Sequence, residues 1–343
     1  PPVTLATYKL MSRSADAPLA SLPYEVMLAL YVWKYELLVL DEAHTVPAAS
    51  HRRLCGALSA RMRIGLTADE RRCDGNEKAL ASLVGPVRYH LPLPSARAMG
   101  IIARAAHRVV EVSASPSLRE MYALSPTEPR RLLATLNPRK VHALLSLLSS
   151  SSAGRVVVFC DKVRALPFLS DALRRAEEDR GGGRRFVGVL AGNVPREERR
   201  RVCDAMRSTP RAVALFTAAG NAAVDVPALE LLVEVSVVEQ SAQQDTQRRG
   251  RAQRVAEGKA SAEVVTLVTA GTHEVGFARR RLAHVRAGLP VEWVVEEEEG
   301  EAARGESDAA SLCPWTDARL AAMVGVGEEH DRALPPPKRA RHA

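Results

Sequence analysis

An apolar run that ends in two adjacent carboxylates, Leu37-Leu38-Val39-Leu40-Asp41-Glu42-Ala43-His44, limits what this chain can fold into more than any other stretch. Four consecutive large aliphatic residues read as a strand buried on both faces of a parallel sheet. The residue that follows such a strand emerges at the carboxyl edge of the sheet, where ligands bind in open α/β folds. Asp41 at that position suits a Mg2+ ion. Glu42 is placed to polarise a water that attacks a γ-phosphate, and His44 can relay the state of the site toward a second domain. A solvated turn after a core strand is the alternative, because a four-residue acidic motif is short.

A second motif lies far downstream. Gln247-Arg248-Arg249-Gly250-Arg251-Ala252-Gln253-Arg254 has the spacing Gln-x-x-Gly-Arg-x-x-Arg. Arg251 and Arg254 stand three residues apart, which on a helix is one face. Two guanidiniums there suit a polyphosphate, since the planar fork matches phosphate oxygens and keeps its charge when partly desolvated. Gly250 reads as a glycine at a crowded position. An exposed basic helix would explain the arginines alone, but not their pairing with the acidic motif in the other half of the chain.

Between these motifs, short β-rich runs alternate with helical stretches. Strands are expected over 3–6, 37–40 and 63–66, with helices over 24–31 and 51–60. After Gly85-Pro86 a proline-containing passage reads as a connection, and the rhythm resumes with strands over 156–160, 187–190, 213–216, 231–235 and 264–268 and helices over 162–178 and 196–207. Parallel strands joined by crossover helices account for this pattern, so the fold class is α/β. The organisation expected is a first lobe over 1–95, a connection with a possible thumb-like element over 96–140, a second lobe over 141–295, and a charged disordered tail over 296–343.

The order of motifs resembles the xeroderma pigmentosum group B helicase family, the superfamily two DNA translocases of the transcription and repair complex TFIIH. Thr45-Val46-Pro47-Ala48 and Arg52-Arg53 follow the acidic box as in that family, and Ile64-Gly65-Leu66-Thr67-Ala68 resembles its third motif. Arg72-Cys73-Asp74 sits where the family carries Arg-Glu-Asp, and Leu83-Val84-Gly85-Pro86-Val87-Arg88-Tyr89 resembles the string that closes its first motor domain. In the second half, Leu136-Asn137-Pro138-Arg139-Lys140, Val156-Val157-Val158-Phe159-Cys160-Asp161-Lys162-Val163 and Gly220-Asn221-Ala222-Ala223-Val224-Asp225-Val226-Pro227 continue the match.

The resemblance implies two RecA-like lobes and ATP with Mg2+ as cofactors. Asp41 and Glu42 would handle metal and water, and Thr67 would couple the lobes. Arg251 with Arg254 would meet the γ-phosphate as finger-like groups. Gly220, Asp225 and Gln247 would help sense nucleotide and DNA. Arg72, Asp74, Arg130 and Arg131 would act toward DNA, the last two where the family inserts a basic thumb. The implied partners are double-stranded DNA and TFIIH-like complex subunits, and the implied compartment is the nucleus.

Departures from the family pattern each remove a polar group that the family carries, a hydroxyl or a carboxylate. Asp69 stands where the family has Thr, Cys73 replaces a glutamate, and Ala222-Ala223 replace hydroxyl residues near the DNA backbone, which would weaken phosphate hydrogen bonds. Cys73 bears on strand separation more than on hydrolysis. No Gly-x-x-x-x-Gly-Lys-Ser/Thr phosphate loop occurs, and Pro1 to Tyr8 resembles the strand reached after that loop. The expectation is therefore an incomplete first lobe that is inactive alone. A diverged paralogue, catalytically weak and serving as a DNA-binding or assembly scaffold, is the second reading.

Charge and composition agree with a nucleic-acid partner without identifying one. A net charge of +8 over 343 residues permits a polyanion, and 4% aromatic content argues for backbone contact over base stacking. The clusters Arg199-Arg200-Arg201 and Arg279-Arg280-Arg281 read as solvated helix faces or DNA contacts. The five cysteines form no Cys-x-x-Cys pair and no zinc spacing with histidine, so reduced thiols are expected. No apolar run approaches the roughly 18 residues of a membrane span, so no membrane association is expected. The terminal Pro335-Pro336-Pro337-Lys338-Arg339-Ala340-Arg341 is either an import signal or solubilising charge.

Overall fold

A computed structural model of the chain describes residues 3–15, 23–68, 77–180, 183–217, 226, 228–238, 242–256, 259, 261–285, 291–295 and 315–324. It divides into two compact units, Pro1–Pro92 and Leu93–Ala343.

In the first unit, β1 (Lys34–Leu40) pairs in parallel with β2 (Ser59–Gly65), and the helix Ala49–Ala57 forms the crossover. Arg63 of β2 fastens that helix: its Nη2 donates to the Cys55 and Leu58 carbonyls at 2.9 and 3.1 Å, satisfying acceptors that a helix C-terminus leaves open. Leu38 and Leu40 face the helices, whereas Leu37 and Val39 are exposed. The expectation of a strand buried on both faces is corrected here, because among the described residues β1 has one neighbouring strand and helical cover on one face only. Residues 3–6 are likewise not a strand; Val3 and Leu5 lie exposed ahead of the helix Tyr8–Ala15, with no strand partner among the described residues. Residues 24–31, expected as one helix, form the single turn Tyr24–Met27 followed by the wider π turn Leu28–Val32.

The second unit is a seven-stranded parallel sheet in the order β5-β6-β4-β7-β8-β3-β9. Its strands are β3 (Arg104–Val112), β4 (Arg155–Phe159), β5 (Phe186–Leu190), β6 (Ala212–Phe216), β7 (Leu231–Glu234), β8 (Ser261–Thr269) and β9 (Val291–Val295). Alternation along each strand feeds two cores. Val156 and Val158 of β4 join Leu215, Val233, Val265 and the helices Thr127–Thr135, Pro138–Ser150 and Leu166–Glu178 on one side. Val157 and Phe159 join Ala214, Phe216 and the helix Arg196–Ser208 on the other. That helix approaches β5 so closely that a Cβ on Gly188 would stand 2.6 Å from Val202 Cγ1. Continuous Val/Leu runs are what a sheet covered on both faces requires.

The passage 96–140 is not a connection. It supplies β3, between β8 and β9, and the helices Pro116–Leu124 and Thr127–Thr135, whose Leu118, Leu132 and Leu133 are buried in the core. A protruding thumb is therefore replaced by packed helices. The region 296–343 also contains structure: Trp315 and the helix Asp317–Val324 pack on the same core. Three large apolar side chains at positions 315, 320 and 324 make that docking favourable, so the expectation of a wholly disordered tail fails for these residues. No helix among the described residues is long and apolar enough to cross a membrane.

Candidate active site

In the first unit the candidate residues form a corner at the carboxyl end of β1. The β1–β2 pairing extends past the strands, with Leu66 N–H donating to Leu40 O and Ala43 N–H donating to Leu66 O, both at 2.9 Å. This extension sets Thr67 beside the acidic turn, and His44 Nδ1 lies 3.0 Å from Thr67 Oγ1 and 3.3 Å from Glu42 Oε2. Gly65 makes the close approach possible, since a Cβ there would stand 2.9 Å from both Ala43 Cβ and Val84 Cγ1. Sequence reasoning selected Asp41, Glu42, His44 and Thr67 separately, and the fold brings them together.

Glu42 adopts φ 50° and ψ 46°, the left-handed region that costs a residue bearing a Cβ about 1–2 kcal/mol. Its amide donates to Asp41 Oδ1 at 3.0 Å. Asp41 is exposed, His44 is buried, and the Glu42 side chain keeps 43% of its surface. Strain held at a functional turn is a known signature of a site whose geometry is over-determined by its surroundings. Oxygen donors at a strand end, one exposed carboxylate beside a second, fit a hard divalent ion that is completed by phosphate and water. Among the described residues no group of three His, Cys, Asp or Glu forms a closed metal cage.

Tyr8, unremarked as a site residue from sequence, stacks on His51 with ring centroids 4.6 Å apart. Burial, with the negative neighbours Cys55, Asp41 and Glu42, pushes its phenol up to about 12, so it stays protonated. Its only sequence signal is a single aromatic residue in the opening segment.

In the second unit, taken by itself, the helix Ala242–Ala252 carries the arginine motif. Gln247 is exposed and Arg251 half-buried, four residues apart on one face, while Arg248 and Arg249 turn into the protein. Arg254 is not on the helix. Lys259 Nζ takes the Ala252 and Arg254 carbonyls, Ala103 N–H takes Gln253 O at 2.7 Å, and Arg254 forms an antiparallel bridge with Ile102. The expectation that Arg251 and Arg254 share a helical face is corrected accordingly. Gly250 is not crowded either: among the described residues nothing lies within 4 Å of a Cβ built there.

Arg248, 1% exposed, is the hub that sequence reasoning missed. Its Nη2 donates to Asp161 Oδ1 at 2.7 Å, its Nη1 stands 3.5 Å from Glu234 Oε1, and its guanidinium lies 4.6 Å above the Phe159 ring. Glu234 Oε2 also accepts from Arg281 at 2.7 Å and from Thr266 Oγ1 at 2.9 Å, and His107 Nε2 lies 3.1 Å from that hydroxyl. Burial pushes Glu234 up, but Arg281 and Arg248 outweigh it and hold the carboxyl at about 2. Burial pulls Arg249 down to about 10, opposed by Glu234, and pulls His107 down to about 4, which leaves the imidazole neutral at pH 7.

A second buried pair fixes the Leu136-Asn137-Pro138-Arg139-Lys140 string. Asn137 caps the helix Pro138–Ser150 by accepting from Arg139 N–H, and its amide donates to Ser113 O at 3.0 Å. Lys140 Nζ donates to Glu274 Oε2 at 2.6 Å, Val235 O at 2.8 Å and Ala134 O at 3.1 Å. Burial pushes Lys140 down and Glu274 up, each opposed by its partner.

Arg130 and Arg131 are engaged locally. Arg130 Nε and Nη2 donate to the Tyr122 and Ala123 carbonyls at 3.0 Å, and Arg131 Nη1 pairs with Glu128 at 3.1 Å. Arg72, Asp74, Gly220 and Asp225 lie outside the described residues. Cys55, Cys160 and Cys203 are free thiols, and burial pushes Cys160 up to about 12.

A family model described as the ERCC3/RAD25/XPB C-terminal helicase matches residues 97–291, more than half of the chain. A subunit named general transcription and DNA repair factor IIH helicase/translocase subunit XPB, from Encephalitozoon cuniculi, is 30% identical over 254 residues, covering 72% of this chain and 36% of its own length. A DNA 3'-5' helicase XPB from Kineococcus radiotolerans is 28% identical over 280 residues, covering 82% of this chain and 47% of its own. The chain thus spans less than half the length of these relatives. Among solved structures, the ATP-dependent Type ISP restriction-modification enzyme LlaBIII bound to DNA has a TM-score of 0.58 at 13% identity, covering 94% of this chain and 25% of its own; that likeness is one of fold.

Proposed function

This chain belongs to the ERCC3/RAD25/XPB helicase family, and from that premise we propose that it is the motor portion of an ATP-dependent DNA translocase that acts in nucleotide excision repair and transcription initiation. The acidic corner carries the reading: an exposed Asp41, a strained Glu42 and the His44–Thr67 contact stand together at the carboxyl end of a parallel strand.

When bound, ATP would supply the γ-phosphoryl group, passed to water with ADP leaving, and Mg2+ would neutralise the phosphate charge. Asp41 would hold the ion. Glu42 would orient the attacking water and take its proton, while His44, tied to both Glu42 and Thr67, would hold that carboxylate and report its state to the third motif. Arg251 and Arg254 place positive charge at the γ-phosphate as finger-like groups, with Gln247 on the same helix face as Arg251. Gly220 and Asp225 complete nucleotide and DNA sensing. Arg72, Asp74, Arg130 and Arg131 act toward double-stranded DNA, the last two after exchanging local partners for phosphate. TFIIH-like subunits are the protein partners and the nucleus is the compartment.

The test is ATP hydrolysis by the natural full-length polypeptide containing this chain, with and without duplex DNA. Hydrolysis that rises with DNA supports the motor. Salt-sensitive DNA binding with no hydrolysis and no nucleotide effect would favour the scaffold reading instead.

A further inference from the structure

The arginine motif is divided by a break in its backbone. Arg251 lies in the last turn of the helix Ala242–Ala252, whereas Arg254 lies beyond it, in a segment that forms an antiparallel bridge with Ile102. Ala252 and Gln253, between them, are buried, and Arg254 is exposed. How the two guanidiniums stand relative to each other therefore depends on what holds the chain from residue 252 to residue 254.

A helix C-terminus leaves its last carbonyls without intrahelical partners, and a basic side chain can take them while meeting the negative end of the helix dipole. Lys259 does so from seven residues beyond Ala252. The turn that returns it is closed by Lys259 N–H donating to Ala256 O at 3.1 Å. Its Nζ donates to Ala252 O, at the last residue of the helix, and to Arg254 O at 2.9 Å, so one ammonium bonds a carbonyl on each side of the break. The carbonyl between them, Gln253 O, accepts from Ala103 N–H at 2.7 Å. Three consecutive carbonyls are thus engaged, two of them by a single side chain. Lys259 is half-buried, and burial pulls its ammonium down to about 8, opposed by Glu230, so it keeps its proton at pH 7. Position 259 lies outside the Gln-x-x-Gly-Arg-x-x-Arg spacing, so the motif by itself does not select it.

We propose that Lys259 is a positioning residue for Arg254: by stapling the helix end to the Arg254 carbonyl it fixes the path along which the Arg254 guanidinium reaches a phosphate and keeps it in register with Arg251. This role rests on the reading of Arg254 as a γ-phosphate group. An ammonium suits the task because its three donors, on a flexible stem, can serve two carbonyls at once.

The test is ATP hydrolysis with duplex DNA, together with amide exchange, on the natural full-length polypeptide containing this chain and on its K259M, K259R, R254A and K259M/R254A variants. Methionine keeps the length of the stem and loses the donors, whereas arginine keeps donors and charge. K259M is expected to lower kcat by about tenfold with KM changed by less than about twofold, the split for a group that meets charge developing in the transition state. K259R should recover most of that loss. In the R254A background K259M should cost nothing further, because both changes remove one interaction. Amide exchange at Ala103 and Arg254 should rise by about tenfold in K259M and stay near the parent in K259R. An equal loss from K259M in the parent and R254A backgrounds, or a K259R variant as impaired as K259M, overturns the positioning role and leaves the motor reading in place. A parent that hydrolyses no ATP removes the motor reading instead; the exchange measurement then decides the staple, which a rise confined to K259M supports and unchanged exchange overturns.

Discussion

In the first unit Asp41 and Glu42 stand at the end of β1, one exposed and the other strained and half-open; in the second, Arg248 and Glu234 are sealed from solvent and bonded to each other and to their neighbours. Both sets include an acid at the end of a parallel strand, Asp41 after β1 and Glu234 at the close of β7. They differ in what their surroundings satisfy. Arg248 and Glu234 between them engage Asp161, Arg281, Thr266 and the Phe159 face, which is how a buried charge avoids the cost of desolvation. Glu42 retains open surface in a backbone conformation that costs energy. On the proposed function, residues that hold the fold are thereby distinguished from residues that act on a ligand, although both belong to motifs of equal prominence in the sequence.

The hardest way to break this comparison is to remove one buried acid. Glu234→Ala leaves Arg248 and Arg281 facing a cavity, and thermal or urea unfolding of the chain should show a loss of about 3–5 kcal/mol. A loss below about 1 kcal/mol would mean that water reaches the network and that the contrast is false.

Acid tests the same network without a mutation. His107 is depressed to about 4 in the fold, so the unfolded chain binds more protons between there and 6.5, and stability falls as pH drops through that window. The loss attributable to His107 approaches about 3 kcal/mol at about 1.4 kcal/mol per unit. Glu234, held at about 2, contributes stability that is present above 4.5 and lost as pH falls from 4.5 toward 2. Urea titrations at pH 7.5, 6 and 5 should trace the first slope, and His107→Gln should flatten it.

The smallest effect has the opposite sign. Glu42→Gly relieves a left-handed residue, and calorimetry should record a gain of about 1 kcal/mol at the expense of the carboxylate. A neutral or destabilising result would remove strain from the account of the acidic corner.

Strand and helix rhythm was legible wherever apolar runs fed a covered sheet, as in β4, β6 and β7, because burial on both faces leaves a continuous signature. It misled over 96–140, where prolines suggested a connection. Pro116 and Pro138 in fact open helices, at positions where a missing N–H costs nothing. The acidic corner was read residue by residue, but its assembly depended on Leu66 continuing the β1–β2 ladder, and no local pattern encodes that. Arg248 was visible within its motif and still overlooked as a hub, since which of the four arginines pairs inside the protein is decided by Asp161 and Glu234, 87 and 14 residues away. The lone acid ending Leu231-Leu232-Val233-Glu234 was the available signal: a charge at the end of a buried strand requires a cation nearby. Arg254 was misplaced because Lys259 and Ala103 take the carbonyls that would have let the helix continue.

The most direct measurement is DNA-stimulated ATP hydrolysis and thermal unfolding of the natural full-length polypeptide beside its Glu42→Gln variant. The account predicts turnover lower by about 10²-fold or more with stability within about 0.5 kcal/mol of the parent, as expected for a partly exposed group that acts on water and whose contact with His44 a glutamine can keep. Undiminished hydrolysis in the variant would contradict the role of Glu42, and with it the reading of the acidic corner as the catalytic half of a motor.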